Sequence, residues 1–226
     1  MNNPGLDRRT SNETEMPSNS TQRLWNVPNQ LTVARLVLSV FFFILLAFVT
    51  RRTLGEGHSA LLLNLSSAVF ILAVVTDFLD GYLARKWGLI STFGRIADPF
   101  ADKIVICGGF IMLTGVAPDL VETWFAVVII VREFLVSGLR SFLESSGHAF
   151  GALFIGKLKM LVQSLAIPVV LFYVANLQGK SPGDSGYELA QAFRWFTIGT
   201  LATTLVLTVA SCVDYIQRAA KLLRSR

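Results

Sequence analysis

Six apolar runs of about twenty residues alternate with short polar stretches along this chain, near 31–49, 60–80, 99–117, 120–142, 158–177 and 192–214. A hydrocarbon core about 30 Å thick is crossed by roughly 20 residues of α-helix. Inside a bilayer no water satisfies backbone N–H and C=O groups, so spans of this length are predicted to be helices. A transmembrane barrel would show shorter segments of alternating polarity, and the sequence has none. The pattern predicts an all-α, polytopic membrane protein with six transmembrane helices. Residues 1–22 break it: they are polar, rich in Ser, Thr and Asn, and lack an apolar h-region. They read as a disordered tail and not as a signal peptide. Residues 23–226 then form one helical membrane domain, without an internal repeat of 20–50 residues.

Composition agrees with a membrane protein. Of 226 residues, 53% are hydrophobic and only 15% charged, where a soluble fold would carry about a quarter. The charges are also unevenly placed. Arg8, Arg9, Arg23, Arg85, Lys86, Arg95, Arg140, Lys157, Arg218, Lys221, Arg224 and Arg226 fall on one side of the expected topology. Arg51, Arg52 and Lys180 fall on the other, diluted by Glu56, Asp119, Glu122, Asp184 and Glu188. Basic residues stay in the cytoplasm, so both termini and the loops near 81–98 and 143–157 are expected there. The basic C-terminal end suits an anionic lipid surface, and no nucleic-acid partner is expected. Cys107 and Cys212 lie in apolar runs and are expected to be reduced, structural thiols.

Before the first span, Asn29, Thr32 and Arg35 recur every three residues after Pro28. They predict a polar stripe on an N-terminal interfacial amphipathic helix, with Trp25 as a nearby anchor.

The chemistry concentrates between Asp77 and Asp102. The chain reads D-F-L-D-G-Y-L-A-R, then eight residues, then G-R-I-A-D-P-F-A-D. Asp77, Asp80, Gly81 and Ala84 share one helical face, and so do Gly94, Asp98 and Asp102. Pro99 is expected near the start of the second helix. Two short connected helices would thus gather four carboxylates at one place. A carboxylate within a bilayer costs roughly 2.5–3.5 kcal/mol, so such a cluster shares protons, pairs with cations or holds metal. Oxygen-only ligands suit Mg²⁺ or Mn²⁺, and two divalent ions would balance four carboxylates. The alternative is a salt-bridged helix pair using Arg85, Arg95 and Lys103.

Here the chain resembles a known family. D-x-x-D-G-x-x-A-R-x8-G-x-x-x-D-x-x-x-D is the signature of the CDP-alcohol phosphatidyltransferases, and all eight fixed positions match. The resemblance implies six transmembrane helices, a homodimer, and two Mg²⁺ or Mn²⁺ near the cytoplasmic surface. It implies Asp77, Asp80 and Asp98 as metal ligands, and Asp102 as a further ligand and the base that takes the acceptor proton. Gly81, Ala84, Arg85 and Gly94 would frame the CDP moiety, with Asn29 and Thr32 beside it. The reaction implied is attack by an alcohol on CDP-diacylglycerol with loss of CMP, which suits carboxylates and bridging metal ions.

A second constellation bears on the alcohol. V-R-E-F-L-V-S-G-L-R places Arg132 and Arg140 on the fourth span, and I-G-K-L-K supplies Lys157 and Lys159. A buried arginine needs an anion or a carboxylate. Glu133, its neighbour in sequence, points about 100° away around a helix and is expected to be an awkward partner. Arg132, Arg140, Lys157 and Lys159 therefore predict a pocket for an acceptor phosphate. Glycerol 3-phosphate fits, as does inositol phosphate; serine would not need these cations. Segments 28–35, 75–81, 97–103, 132–140 and 156–159 most resemble family members that use glycerol 3-phosphate. The likeness covers roughly residues 27–165, beyond which the sequence offers only hydrophobicity.

Other readings stay open. The same reaction with inositol phosphate, phosphatidylglycerol or serine is one. A divalent cation transporter is another, and it predicts acidic residues lining a path across several spans. A bacterial inner membrane is the expected location, because the tail, with Glu13 and Glu15, does not resemble a transit peptide.

Overall fold

The computed structural model describes the backbone of residues 27–50, 56–87, 92–145 and 154–224. Within those ranges the side chains at 27–29, 56–58, 80–87, 92–99, 154, 157 and 223–224 are not described. The described residues form six helices and no strand: α1 (Val27–Thr50), α2 (Glu56–Trp87), α3 (Thr92–Val116), α4 (Thr123–Ser145), α5 (Phe154–Asn176) and α6 (Tyr187–Arg224). Each expected apolar run falls within a few residues of one helix, so the described residues are all-helical. The polar tail at 1–22 lies outside the described residues.

Among the described residues, four helical segments are long and apolar enough to cross a membrane: Gln30–Thr50, Ser59–Leu79, Leu158–Asn176 and Tyr187–Leu222. Helix α4 has no such segment, because Arg132, Glu133, Arg140 and Glu144 interrupt its apolar run; in α3 the fully described part, Phe100–Val116, is too short to be compared. The stripe of Asn29, Thr32 and Arg35 is not a separate element; it forms the opening turns of α1, which continues unbroken to Thr50.

The bundle buries stripes of polar side chains beside an apolar core and turns many large apolar side chains outward. On α1, Thr32, Arg35, Ser39, Phe42 and Leu46 are buried at alternating steps of three and four, while Val33, Val37, Phe41, Ile44 and Phe48 face outward. An outward apolar face suits lipid, which is as apolar as leucine. On α6, Thr197, Thr204, Thr208 and Ser211 make a buried hydroxyl stripe. Thr197 and Thr204 donate to the carbonyls of Phe193 and Thr200 one turn back, so their polarity is satisfied within the helix.

Helix α1 packs on α2 and α3, α2 on α5, α5 on α6, α4 on α6, and α3 on α4 and α5. The core is built from Phe42, Leu46, Phe70, Phe110, Leu113, Ile129, Ile167 and Leu171. Two adjacent glycines let α3 sit this close to its neighbours. A Cβ at Gly108 would collide with the Phe43 ring of α1, and one at Gly109 would stand 2.6 Å from Ile167 Cδ1 of α5. The helices alternate in direction. One end of the bundle therefore collects the start of α1, the end of α2, the start of α3, the end of α4, the start of α5 and the end of α6. Both charged constellations lie toward that end.

Candidate active site

Three helices meet at Arg35. Its position on the buried face of α1 carries the guanidinium into the bundle, where burial without a counter-charge would cost several kcal/mol. Two carboxylates supply that charge. Arg35 Nη1 donates to Asp77 Oδ1 of α2, and the same nitrogen donates to Asp102 Oδ1 of α3 at 2.5 Å. The Arg35 side chain is 2% exposed, against 26% for Asp77 and 31% for Asp102. The cation thus lies deepest and the carboxylates form the rim. The preceding turn of α1 adds Thr32, also buried.

Several expectations are modified here. Asp77 and Asp102 do converge, but from long helices: Asp77 lies in the last third of α2 and Asp102 in the first half of α3. They do not stand on two short helices. Pro99 falls inside α3, which begins at Thr92, and does not open it. The cation between the carboxylates is Arg35, which the sequence reading placed on the interfacial stripe. Lys103, offered as a salt-bridge partner, instead holds its ammonium 5.6 Å from the Phe100 ring centre and 5.8 Å from that of Phe134. Asp80, Gly81, Ala84, Arg85 and Gly94, Arg95, Asp98 occupy helical positions in α2 and α3, but their side chains lie outside the described residues, as do those of Asn29 and Lys157. Among the described residues no three His, Cys, Asp or Glu groups gather. The described half of the expected carboxylate set is therefore Asp77 and Asp102.

The second constellation is also assembled from three helices. Arg132 of α4 is buried. Its Nη1 donates to Glu133 Oε1 at 3.0 Å, and its Nη2 donates to Ser211 Oγ of α6 at 2.6 Å. Lys159 of α5, buried too, donates to the same Glu133 Oε1. The expectation that Glu133 is an awkward partner is overturned. Adjacent helical positions do diverge, but both side chains are long, and the Lys159 ammonium draws the carboxylate into the seam where the guanidinium lies. One oxygen then serves two cations. Gln163 Nε2, 3.3 Å from Thr208 Oγ1, continues this polar seam one turn along α5 and α6. Among the described residues Arg132 Nε has no hydrogen-bond partner. Arg140 is more exposed, and its Nε donates to Glu144 Oε1 at 3.0 Å, one turn on. The structure brings Arg132 and Lys159 together and leaves Arg140 further along α4.

Sequence reasoning missed Arg35 as the partner of the carboxylates, and it missed Glu133 and Ser211. An arginine beside an apolar run was the available signal for the first. For Ser211, hydroxyls at 204, 208 and 211 already mark one helical face. Cys107 and Cys212 are free thiols, as expected.

The sequence model for CDP-alcohol phosphatidyltransferases matches residues 25–210. The chain belongs to this family. The match runs from just before α1 into α6 and includes Arg35, Asp77, Asp102, Arg132, Glu133 and Lys159, with Ser211 one residue beyond it. Similar proteins include the CDP-diacylglycerol–glycerol-3-phosphate 3-phosphatidyltransferase of Bacillus subtilis, 39% identical over 66% of this chain and 78% of that protein. The enzyme of the same name from Mycoplasma pneumoniae is 31% identical over 84% of this chain and 92% of its own length. A probable phosphatidylglycerophosphate synthase of Mycobacterium tuberculosis is 33% identical over 88% and 84%. This phosphatidyltransferase is thus an enzyme of phospholipid synthesis in a membrane, and Asp77 and Asp102, which share Arg35, are the first and last residues of its family signature.

Proposed function

We propose that this phosphatidyltransferase moves the phosphatidyl group of CDP-diacylglycerol to sn-glycerol 3-phosphate, giving phosphatidylglycerophosphate and CMP. The reading rests above all on one observation: Asp77 and Asp102, from different helices, direct oxygens at a single cationic nitrogen. The names of the similar proteins agree with it.

The described donor set fits a hard divalent cation. It is made of carboxylate oxygen, it converges on one point, and a guanidinium nitrogen already serves there as a positive charge. Asp77, Asp80, Asp98 and Asp102 would hold Mg²⁺ or Mn²⁺, two ions balancing four carboxylates. When bound, such ions neutralise the donor pyrophosphate and stabilise charge on the transferring phosphorus. Asp102 has a second task. A rim carboxylate beside the attacking hydroxyl accepts its proton as the new P–O bond forms, while CMP departs. Arg35 holds Asp77 and Asp102 in register, which fixes the geometry in which that proton is taken. Gly81, Ala84 and Gly94 leave room for the CDP moiety, with Arg85, Asn29 and Thr32 bordering it.

The acceptor phosphate is bound at the second constellation. Arg132 and Lys159 carry two positive charges against one on Glu133, and the unpartnered Arg132 Nε is a buried donor able to serve a phosphate oxygen. Arg140 and Lys157 extend the same cationic side. In this reading all six helices cross the bilayer, the start of α1 lies at the interface, both termini and the active site face the cytoplasm of a bacterial cell, and two copies associate as a homodimer.

A second reading keeps the reaction and exchanges the acceptor for inositol phosphate, because two cations recognise a phosphate and not what it is attached to. An acceptor panel separates them. Purified protein, CDP-diacylglycerol and Mg²⁺ are incubated with glycerol 3-phosphate, inositol phosphate, serine or phosphatidylglycerol. Release of CMP with glycerol 3-phosphate alone, abolished by a chelator, is the expected result. Release only with inositol phosphate replaces the acceptor, and ion flux without CMP replaces the reaction by transport.

A further inference from the structure

The far end of the bundle, away from the carboxylates, carries a site the phosphatidyl transfer does not use. The turn after α3, the end of α5 and the start of α6 enclose a cavity of about 220 Å³, lined by Asp119, Tyr173, Lys180, Tyr187, Gln191 and Arg194 among others.

Its polar groups are held in place by the chain itself. The connection between α5 and α6 contains three glycines with left-handed backbone, Gly179 (φ 87°), Gly183 (φ 103°) and Gly186 (φ 85°). Ser181 N donates to Asp184 Oδ2 at 2.7 Å, closing the turn. Lys180 folds back so that its Nζ donates to the Ser185 carbonyl at 2.9 Å. A Cβ on Gly186 would come within 2.8 Å of that ammonium. The loop is thus shaped around Lys180, and one backbone bond leaves two of its three ammonium protons for another acceptor. On α6, Gln191 Nε2 donates to the Tyr187 hydroxyl at 2.9 Å. Arg194 lines the same cavity without an ion-pair partner among the described residues.

The surroundings fix the depth of this cavity. Trp195 and Phe196 follow Arg194 directly, Leu189 precedes it on α6, and Trp124 stands at the start of α4; all four are exposed. Exposed tryptophans beside cations are the pattern of a membrane–water interface. Two cations and one carboxylate at that depth match a phosphate together with a hydrogen-bond donor.

We propose that this cavity binds the headgroup of a phospholipid in the leaflet opposite the catalytic end. The phosphate lies between Lys180 and Arg194, and Asp119 accepts a hydrogen bond from the headgroup's hydroxyl or ammonium. The acyl chains run down the apolar surface beside Trp195 and Leu189. The site is a lipid anchor separate from the catalytic constellations, so it does not depend on which acceptor the enzyme uses.

Native mass spectrometry of the full chain in detergent tests it, with phosphatidylglycerol, phosphatidylethanolamine, phosphatidylcholine and inorganic phosphate as probes. The comparison is wild type against Arg194→Gln and Lys180→Met/Arg194→Gln, whose CMP release is expected to stay unchanged. Wild type should retain one more phosphatidylglycerol or phosphatidylethanolamine than the double variant, with roughly tenfold tighter binding. Phosphatidylcholine, whose choline donates no hydrogen bond, should show a smaller difference. Arg194 is exposed, so the single variant reports binding even if the double variant folds poorly. Equal lipid retention by wild type and Arg194→Gln overturns the proposal. Binding of inorganic phosphate that Arg194→Gln abolishes, with no phospholipid retained by wild type, also overturns it, since the ligand is then a free anion.

Discussion

The two charged centres at the catalytic end are built from the same parts in opposite proportion. At Arg35 one buried cation sits between two carboxylates; at Glu133 one carboxylate sits between two buried cations. The first trio carries a formal charge of −1 (one cation, two anions), and the second +1 (two cations, one anion). In a low-dielectric interior neither trio can be left far from neutrality, so each carries its own partial counter-charge. In the proposed function the negative trio suits a site for metal cations and the positive trio a site for the acceptor phosphate. The first trio draws its members from three helices and the second from two, α4 and α5, so both depend on the bundle being assembled.

Substitutions at the two centres should separate their roles. The largest effect is expected from Asp102→Asn, which keeps shape but cannot take a proton. CMP release should fall about 10²- to 10⁴-fold while CDP-lipid binding persists; full turnover would remove Asp102 as the base. Arg132→Ala comes next. It should raise the KM for glycerol phosphate about 10- to 100-fold with little change for CDP-diacylglycerol, and an equal rise in both would dissolve the division of labour between the centres. Ser211→Ala removes one hydrogen bond to Arg132 and should raise the same KM about 3- to 10-fold. An unchanged KM would show that Glu133 alone holds the guanidinium. Arg140→Ala should do least. Its exposed pair with Glu144 is worth less than about 0.5 kcal/mol of stability, and an effect on KM as large as that of Arg132→Ala would place Arg140 at the phosphate.

Much of this architecture was legible in the sequence, for physical reasons. A bilayer forces helices of about 20 apolar residues, so six runs announced six helices. Fixed spacing on a helix put Asp77 and Asp102 on faces able to meet. What escaped the sequence was partnership between distant helices. Spacing along one helix says nothing about which cation on another will lie against it, so Arg35 was assigned to an interface stripe. Glu133 was set aside by an angular rule that holds for Cα positions and fails for flexible side chains drawn toward Lys159. Ser211 lay where the sequence showed only hydrophobicity, although its hydroxyl spacing already marked a face. Helix lengths were underestimated because charged ends such as that of α6 do not look apolar.

The paired glycines of α3 carry a last implication. With a phenyl ring of α1 close on one side and Ile167 of α5 on the other, that helix has no room for a larger side chain at either glycine. Asp102 stands just under two turns from these glycines, roughly 9–10 Å along the axis. A bulkier residue at either glycine would push α3 off its neighbours, and Asp102 with it, away from Arg35 and Asp77.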